Sequence, residues 1–136
     1  MTVEIFTGDC RAVIPTLAPE SVNCVVTSPP YFWLRDYGVE GQIGHEDTVA
    51  AFVDVIASVF DLVKPVLRKD GVVWLNLGDT YYSGNGQPTG SDPRSPSRNF
   101  SREKLRPVDQ SGWDIPKKSL CGVPWKVALE MQRRGW

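Results

Sequence analysis

The chain predicts an α/β fold in which a mostly parallel sheet is flanked by helices. Three observations carry that expectation. Val22-Asn23-Cys24-Val25-Val26-Thr27 is a nearly unbroken apolar run, the pattern of a strand covered on both faces in a parallel sheet. Residues 47–63 carry one long apolar stripe at helical spacing, and residues 72–77 return to a strand pattern after it.

From the amino terminus, Val3-Glu4-Ile5-Phe6 alternates as a short strand, and Thr7-Gly8 turns away from it. Asp9 then stands on a loop at the carboxyl edge of the sheet, where its carboxylate suits the N-cap of a helix starting at Cys10 or Arg11. Val13, Ile14 and Leu17 give that short helix an apolar stripe, and residues 17–21 form the exit turn into the strand at 22–27.

That strand runs into Ser28-Pro29-Pro30-Tyr31. Pro-Pro is common in plain turns and Ser-Pro opens many of them, so the tetrapeptide by itself reads first as a turn. Its place changes the reading, because ligands of parallel sheets gather at the carboxyl ends of strands. Prolines lack an N–H and hold φ at about −65°, so a pair of them continues neither a central strand nor a helix. Carbonyl oxygens are left held stiffly at a strand tip. With a hydroxyl on one side and an aromatic face on the other, they suit a flat base whose amino group needs acceptors.

Further along, Val49, Phe52, Val53, Ile56, Val59, Phe60 and Val63 recur three and four residues apart, the core-facing stripe of a helix. Asp47 is its natural cap, Pro65 stops it, and residues 68–71 turn the chain into the strand at 72–77. Asp79 after that strand either lines a pocket or closes a turn, and the turn is the favoured reading. His45, the single histidine, lies in the loop before the helix with no second ligand near it in sequence, so no metal site is expected. Cys10, Cys24 and Cys121 are odd in number and lack CxxC spacing, which reads as small buried hydrophobes. Residues 123–136 read as a closing helix with Pro124 in its first turn, a face of Val123, Val127 and Met131, and Gly135 ending it.

Between the last strand and that helix the composition changes. Residues 83–118 are rich in Gly, Pro, Ser, Asp and Arg, a flexible polar and basic insert with seven basic groups against four acidic. Its charge suits phosphate contacts, with a solvated loop as the alternative. The net charge of −1 decides nothing by itself, but residues 1–70 carry five basic and ten acidic groups whereas residues 71–136 carry ten and six. No targeting pattern opens the chain and no run approaches the roughly 18 apolar residues of a membrane span, so a cytoplasmic protein with no membrane partner is expected.

Several separated blocks, in order, resemble one family. They are Ile5-Phe6-Thr7-Gly8-Asp9-Cys10, residues 20–38 around Ser28-Pro29-Pro30-Tyr31-Phe32-Trp33-Leu34-Arg35-Asp36-Tyr37-Gly38, then Leu75-Asn76-Leu77-Gly78-Asp79-Thr80-Tyr81, and Lys118-Ser119-Leu120-Cys121-Gly122-Val123-Pro124-Trp125. Together they are similar to the DNA amino-methyltransferases that use S-adenosyl-L-methionine, in the permuted order with the catalytic motif ahead of the cofactor glycine loop.

The resemblance implies a partial Rossmann-like methyltransferase domain acting on a base flipped out of double-stranded DNA. It implies that the Ser28 hydroxyl and the Pro29 carbonyl grip the amino hydrogens, that Pro30 stiffens the turn, and that Tyr31 stacks on the base. Asp9 would meet the adenine amino group of the cofactor besides capping its helix; separately, the positive charge of the insert, not the resemblance, suggests that it closes over DNA or the flipped base, with Arg98, Arg102 and Arg106 as the residues that would test it. Family members with Ser in the first place of the tetrad are mostly cytosine-N4 enzymes and those with Asp mostly adenine-N6 enzymes, so Ser28 favours cytosine N4, with adenine N6 the alternative. Cytosine-C5 chemistry needs a cysteine thiolate, usually after a proline, and no Pro-Cys pair occurs.

No F-x-G-x-G loop follows a strand, and Gly84-Asn85-Gly86 lies in a polar stretch with no helix after it. Residues 1–136 are therefore expected to form the amino-terminal part of a catalytic domain, lacking the cofactor glycine loop and the target-recognition region and partnered by a carboxy-terminal half. An open sheet edge and marginal stability in isolation go with that expectation. The competing reading is a non-catalytic remnant that binds DNA or a partner and folds only with a complementary half.

Overall fold

The computed structural model describes residues 2–82, 116 and 118–136. The basic insert, apart from Pro116 and Lys118, lies outside the described residues, and with it Arg98, Arg102 and Arg106. In chain order the elements are α1 (Cys10–Val13), which runs into a 3-10 turn at Ile14–Thr16, then β1 (Val22–Thr27), α2 (Val49–Val63), β2 (Leu67–Leu75) and α3 (Val123–Arg133). β1 and β2 pair in parallel, with α2 between them in sequence, which is the α/β arrangement expected.

The ladder starts at Val22 opposite Leu67, breaks, and resumes from Cys24 opposite Val72 to Thr27 opposite Leu75. Residues 68–71 thus face only Asn23, so the predicted turn is a bulge inside a strand that begins earlier than expected. The polar residues Arg68, Lys69 and Asp70 do leave the ladder; they do not end it.

α2 forms because its apolar spacing matches the helical repeat. Val49, Phe52, Val53, Ile56, Ala57, Phe60 and Val63 are buried. Its cap is Thr48, not the predicted Asp47: Thr48 has the extended backbone a cap requires, and its hydroxyl accepts from Ala51 N at 3.0 Å. The helix stops at Val63, just before Pro65. α3 packs on α2 through Val123 and Val127, with Pro124 in its first turn as expected. Phe32 and Trp33, from the loop after β1, complete the core; the Phe32 and Phe52 ring centroids are 5.4 Å apart.

Two expectations fail. Residues 3–6 alternate correctly but pair with nothing among the described residues, and Val3 and Ile5 are exposed. Alternation specifies a face, and a strand also needs a neighbouring ladder. The second failure concerns the sheet, which is covered on one face only. Val25, Leu67, Val73 and Leu75 pack on the core, while Cys24, Val26, Val72 and Trp74 alternate with them on a bare face, with Val26 78% and Trp74 67% exposed. Cys24 is consequently exposed, as is Cys10 beside the unpaired segment, and only Cys121 is buried as predicted.

Arg134, just past α3, ties that helix to α2. Its guanidinium pairs with Glu130 on its own helix at 2.7 Å and with Asp54 and Asp61 on α2. Hydrogen bonds from Arg133 and then Arg134 lower the Glu130 carboxyl from its ordinary 4.5 to about 2. A carboxyl depressed by folding contributes stability that is complete above its unfolded value and is lost as pH falls toward the folded one. The melting-temperature advantage of the native protein over a Glu130→Gln variant is therefore expected to be full near neutral pH and to shrink between about 4.5 and about 2. An advantage that stayed constant across that window in pH-resolved melting curves would contradict the assignment.

Among the described residues no helix is long and apolar enough to cross a membrane.

Candidate active site

Ser28, Pro29, Pro30 and Tyr31 leave the carboxyl end of β1, where Asn76 N still donates to the Thr27 carbonyl at 2.9 Å. They line a cleft of about 230 Å³, together with Leu34, Arg35 and Tyr37. The Ser28 hydroxyl donates to Tyr31 Oη across 3.4 Å, a long contact that leaves the serine lone pairs open.

The next two residues anchor the turn. Phe32 and Trp33 are buried, Trp33 N donates to the Gly44 carbonyl at 2.7 Å, and the indole Nε1–H donates to the Glu46 carbonyl at 2.7 Å. Trp33 stacks on His45, with ring centroids 4.5 Å apart. The opposite wall is set by Gln42, whose side chain donates to the Arg35 carbonyl at 3.0 Å and accepts from Tyr37 N at 2.7 Å. Rigid acceptors, an aromatic ring and a cation thus share one concavity.

Asp9 is not part of that lining. It caps α1, accepting from Arg11 N at 2.8 Å and from the Arg11 guanidinium at 2.6 Å, and these bonds lower its carboxyl to about 2. Arg11 also donates to the Gly41 carbonyl at 3.2 Å, which ties the cap to the loop bearing the cleft wall.

Leu34, Arg35 and Tyr37 were not legible as cleft residues, since only the loop's closure brings them back toward the tetrad. Asp79 does more than close its own turn. Its Oδ1 accepts from Thr80 N at 2.8 Å and Val123 N at 3.0 Å, and its Oδ2 accepts from Gly122 N at 2.9 Å. It caps α3 across the whole insert. The signal was available in Gly122, an N-cap without a side chain, which leaves that helix start in need of an acceptor from elsewhere. Asp79→Ala is expected to cost about 1–3 kcal/mol in urea unfolding, with Asp79→Asn costing less because one acceptor remains. Equal midpoints for all three proteins would mean that the cap adds nothing to stability.

The sequence profile of a DNA methylase family, the N6/N4 methylases, matches residues 22–133, from β1 to the end of α3. The chain belongs to this family. It is 44% identical over 132 residues to the type II methyltransferase M.XycI of Xanthomonas campestris pv. cyanopsidis, an alignment covering 97% of this chain and 42% of that protein. It is 40% identical over 132 residues to M.Cfr9I of Citrobacter freundii, covering 97% and 42%, and 41% identical over 133 residues to M.SmaI of Serratia marcescens, covering 98% and 44%. The chain thus spans less than half the length of those relatives. No solved structure matches it.

Proposed function

We propose that the chain forms the base-binding, amine-activating part of an S-adenosylmethionine-dependent DNA amino-methyltransferase, with cytosine N4 as the atom methylated. The observation that carries the reading is the tetrad of residues 28–31, which lines a cleft at the carboxyl end of β1 in a chain of the DNA methylase family.

An exocyclic amine is a poor nucleophile because its lone pair is delocalised into the ring. The Ser28 hydroxyl and the Pro29 carbonyl accept its two hydrogens, hold the nitrogen toward tetrahedral geometry and return the pair to the nitrogen. Such aimed dipoles act only if set beforehand, which two successive prolines and the buried Phe32 and Trp33 provide. Tyr31 stacks on the base, and its contacts help offset the few kcal/mol, roughly, that flipping costs. Arg35 supplies positive charge at the wall toward the phosphate of the flipped nucleotide.

When bound, S-adenosylmethionine supplies an electrophilic methyl group. Among the described residues, Asp9 has the chemistry to meet its adenine amine: the carboxylate is about half exposed, although an incoming amine must share it with Arg11. Asp9→Ala in the complete enzyme is expected to weaken cofactor binding roughly ten-fold, the worth of one hydrogen bond to a charged group. An unchanged Kd by calorimetry would leave Asp9 as a cap alone.

Relatives more than twice as long and a sheet face bare at Val26 and Trp74 support a chain that works as the amino-terminal part of a larger domain. In that domain the cofactor glycine loop and the target-recognition region come from further polypeptide. Serine rather than aspartate in the first place of the tetrad favours cytosine N4. Mass analysis of nucleosides from DNA methylated by the complete enzyme is expected to show N4-methylcytosine. N6-methyladenine would transfer the same chemistry to the other base and overturn the choice of cytosine.

A further inference from the structure

Inside the tetrad, Tyr31 Oη accepts the long hydrogen bond from the Ser28 hydroxyl. Its seat lies in the segment that follows β2. A Cβ built on Gly78, just past β2, would stand 2.6 Å from Tyr31 Cε2, 2.9 Å from Cδ2 and 3.3 Å from Cζ. The ring edge rests on bare backbone. Gly78 is not among the glycines with positive φ, so its conformation is open to any residue, and the three atoms nearest a side chain there all belong to the Tyr31 ring.

The other end of Tyr31 is met in the same way. A Cβ on Gly44 would lie 3.0 Å from the Tyr31 carbonyl oxygen and 3.4 Å from Pro30 Cβ. Tyr31 is therefore gripped at its carbonyl by one glycine and at its ring by another, from segments distant in sequence.

We propose that Gly78 is a positioning residue for methyl transfer: its missing side chain sets the plane in which the Tyr31 ring receives the target base. This rests on the reading of Tyr31 as the stacking residue. Even one methyl group forces the ring to swing or the two segments to part, and displacements of about 1 Å at a reacting centre cost up to about a hundred-fold in rate.

The test is a four-protein cycle of the native protein, Gly78→Ala, Tyr31→Ala and the double variant. Gly78→Ala is expected to lower the melting temperature by about 3 °C or more when Tyr31 is present and by less than about 1 °C in the Tyr31→Ala background. Should Gly78→Ala fail to fold while the double variant folds, the seat is equally supported. Equal losses in both backgrounds, or failure of both to fold, overturn it.

In the complete enzyme, Gly78→Ala is expected to slow single-turnover methyl transfer roughly ten- to hundred-fold while cofactor affinity stays within about two-fold. A native rate overturns the positioning role even if the cycle shows coupling. If Tyr31→Ala itself transfers at the native rate, the stacking reading of Tyr31 fails, whereas the melting cycle still decides whether Gly78 seats the ring.

Discussion

Ser28→Ala and Tyr31→Ala are each expected to slow methyl transfer by the complete enzyme by about a hundred-fold or more, equivalent to roughly 3 kcal/mol of transition-state stabilisation. The first variant removes one of two acceptors that hold the amine out of the ring plane. The second removes the surface on which the flipped base lies. Neither residue belongs to the core, so cofactor affinity and melting temperature should stay close to native. Pro29→Ala keeps the carbonyl and loosens it, and its loss should be the smaller. Single-turnover transfer of a labelled methyl group, with cofactor binding measured in parallel, separates these effects. Native rates in both the Ser28 and Tyr31 variants would remove the tetrad from the chemistry.

The largest effect on stability is expected from Phe52→Ala. Phe52 is wholly buried in the first turn of α2 and lies against Phe32, so its loss leaves a cavity beneath the loop that carries the tetrad. Such truncations cost about 3–5 kcal/mol, a large share of the roughly 5–15 kcal/mol that typically holds a domain together. Trp125→Ala is the control: Trp125 is 74% exposed on α3, and its truncation should move the urea midpoint little. Comparable losses from the two variants would mean that the core is not centred on α2.

Local patterns in the sequence identified what local forces decide. The α2 stripe was legible because burial of one helix face writes itself at three- and four-residue steps, and Pro124 marked the start of α3 for a similar reason. The α2 cap was missed by one residue because Asp47 and Thr48 are both competent acceptors, and only the backbone shows which one precedes the first turn. Asn23 facing four residues of β2 left no trace in either segment alone. The bare face at Cys24 and Trp74 was invisible because an apolar run records what a residue prefers and not what lies across from it.

The same limit applies to the site. The tetrad was recognisable as a unit, since hydroxyl, carbonyls and ring are contiguous. Its supports are not contiguous: Gly44 and Gly78 approach Tyr31 from separate segments, and the backbone at Arg35 and Tyr37 is tied to Gln42 by hydrogen bonds. Asp79 finds its partners at Gly122 and Val123 beyond the insert.

Where the chain leaves and rejoins this framework, Tyr82 N donates to the Ser119 carbonyl at 2.9 Å, Lys118 N to the Tyr82 carbonyl at 2.7 Å and Cys121 N to the Thr80 carbonyl at 2.8 Å. These bonds act as a stapled neck. The two described ends of the framework, one running on from β2 and the other leading into α3, are therefore held to each other directly by main-chain bonds, and the backbone on which the aromatic ring lies is braced from both.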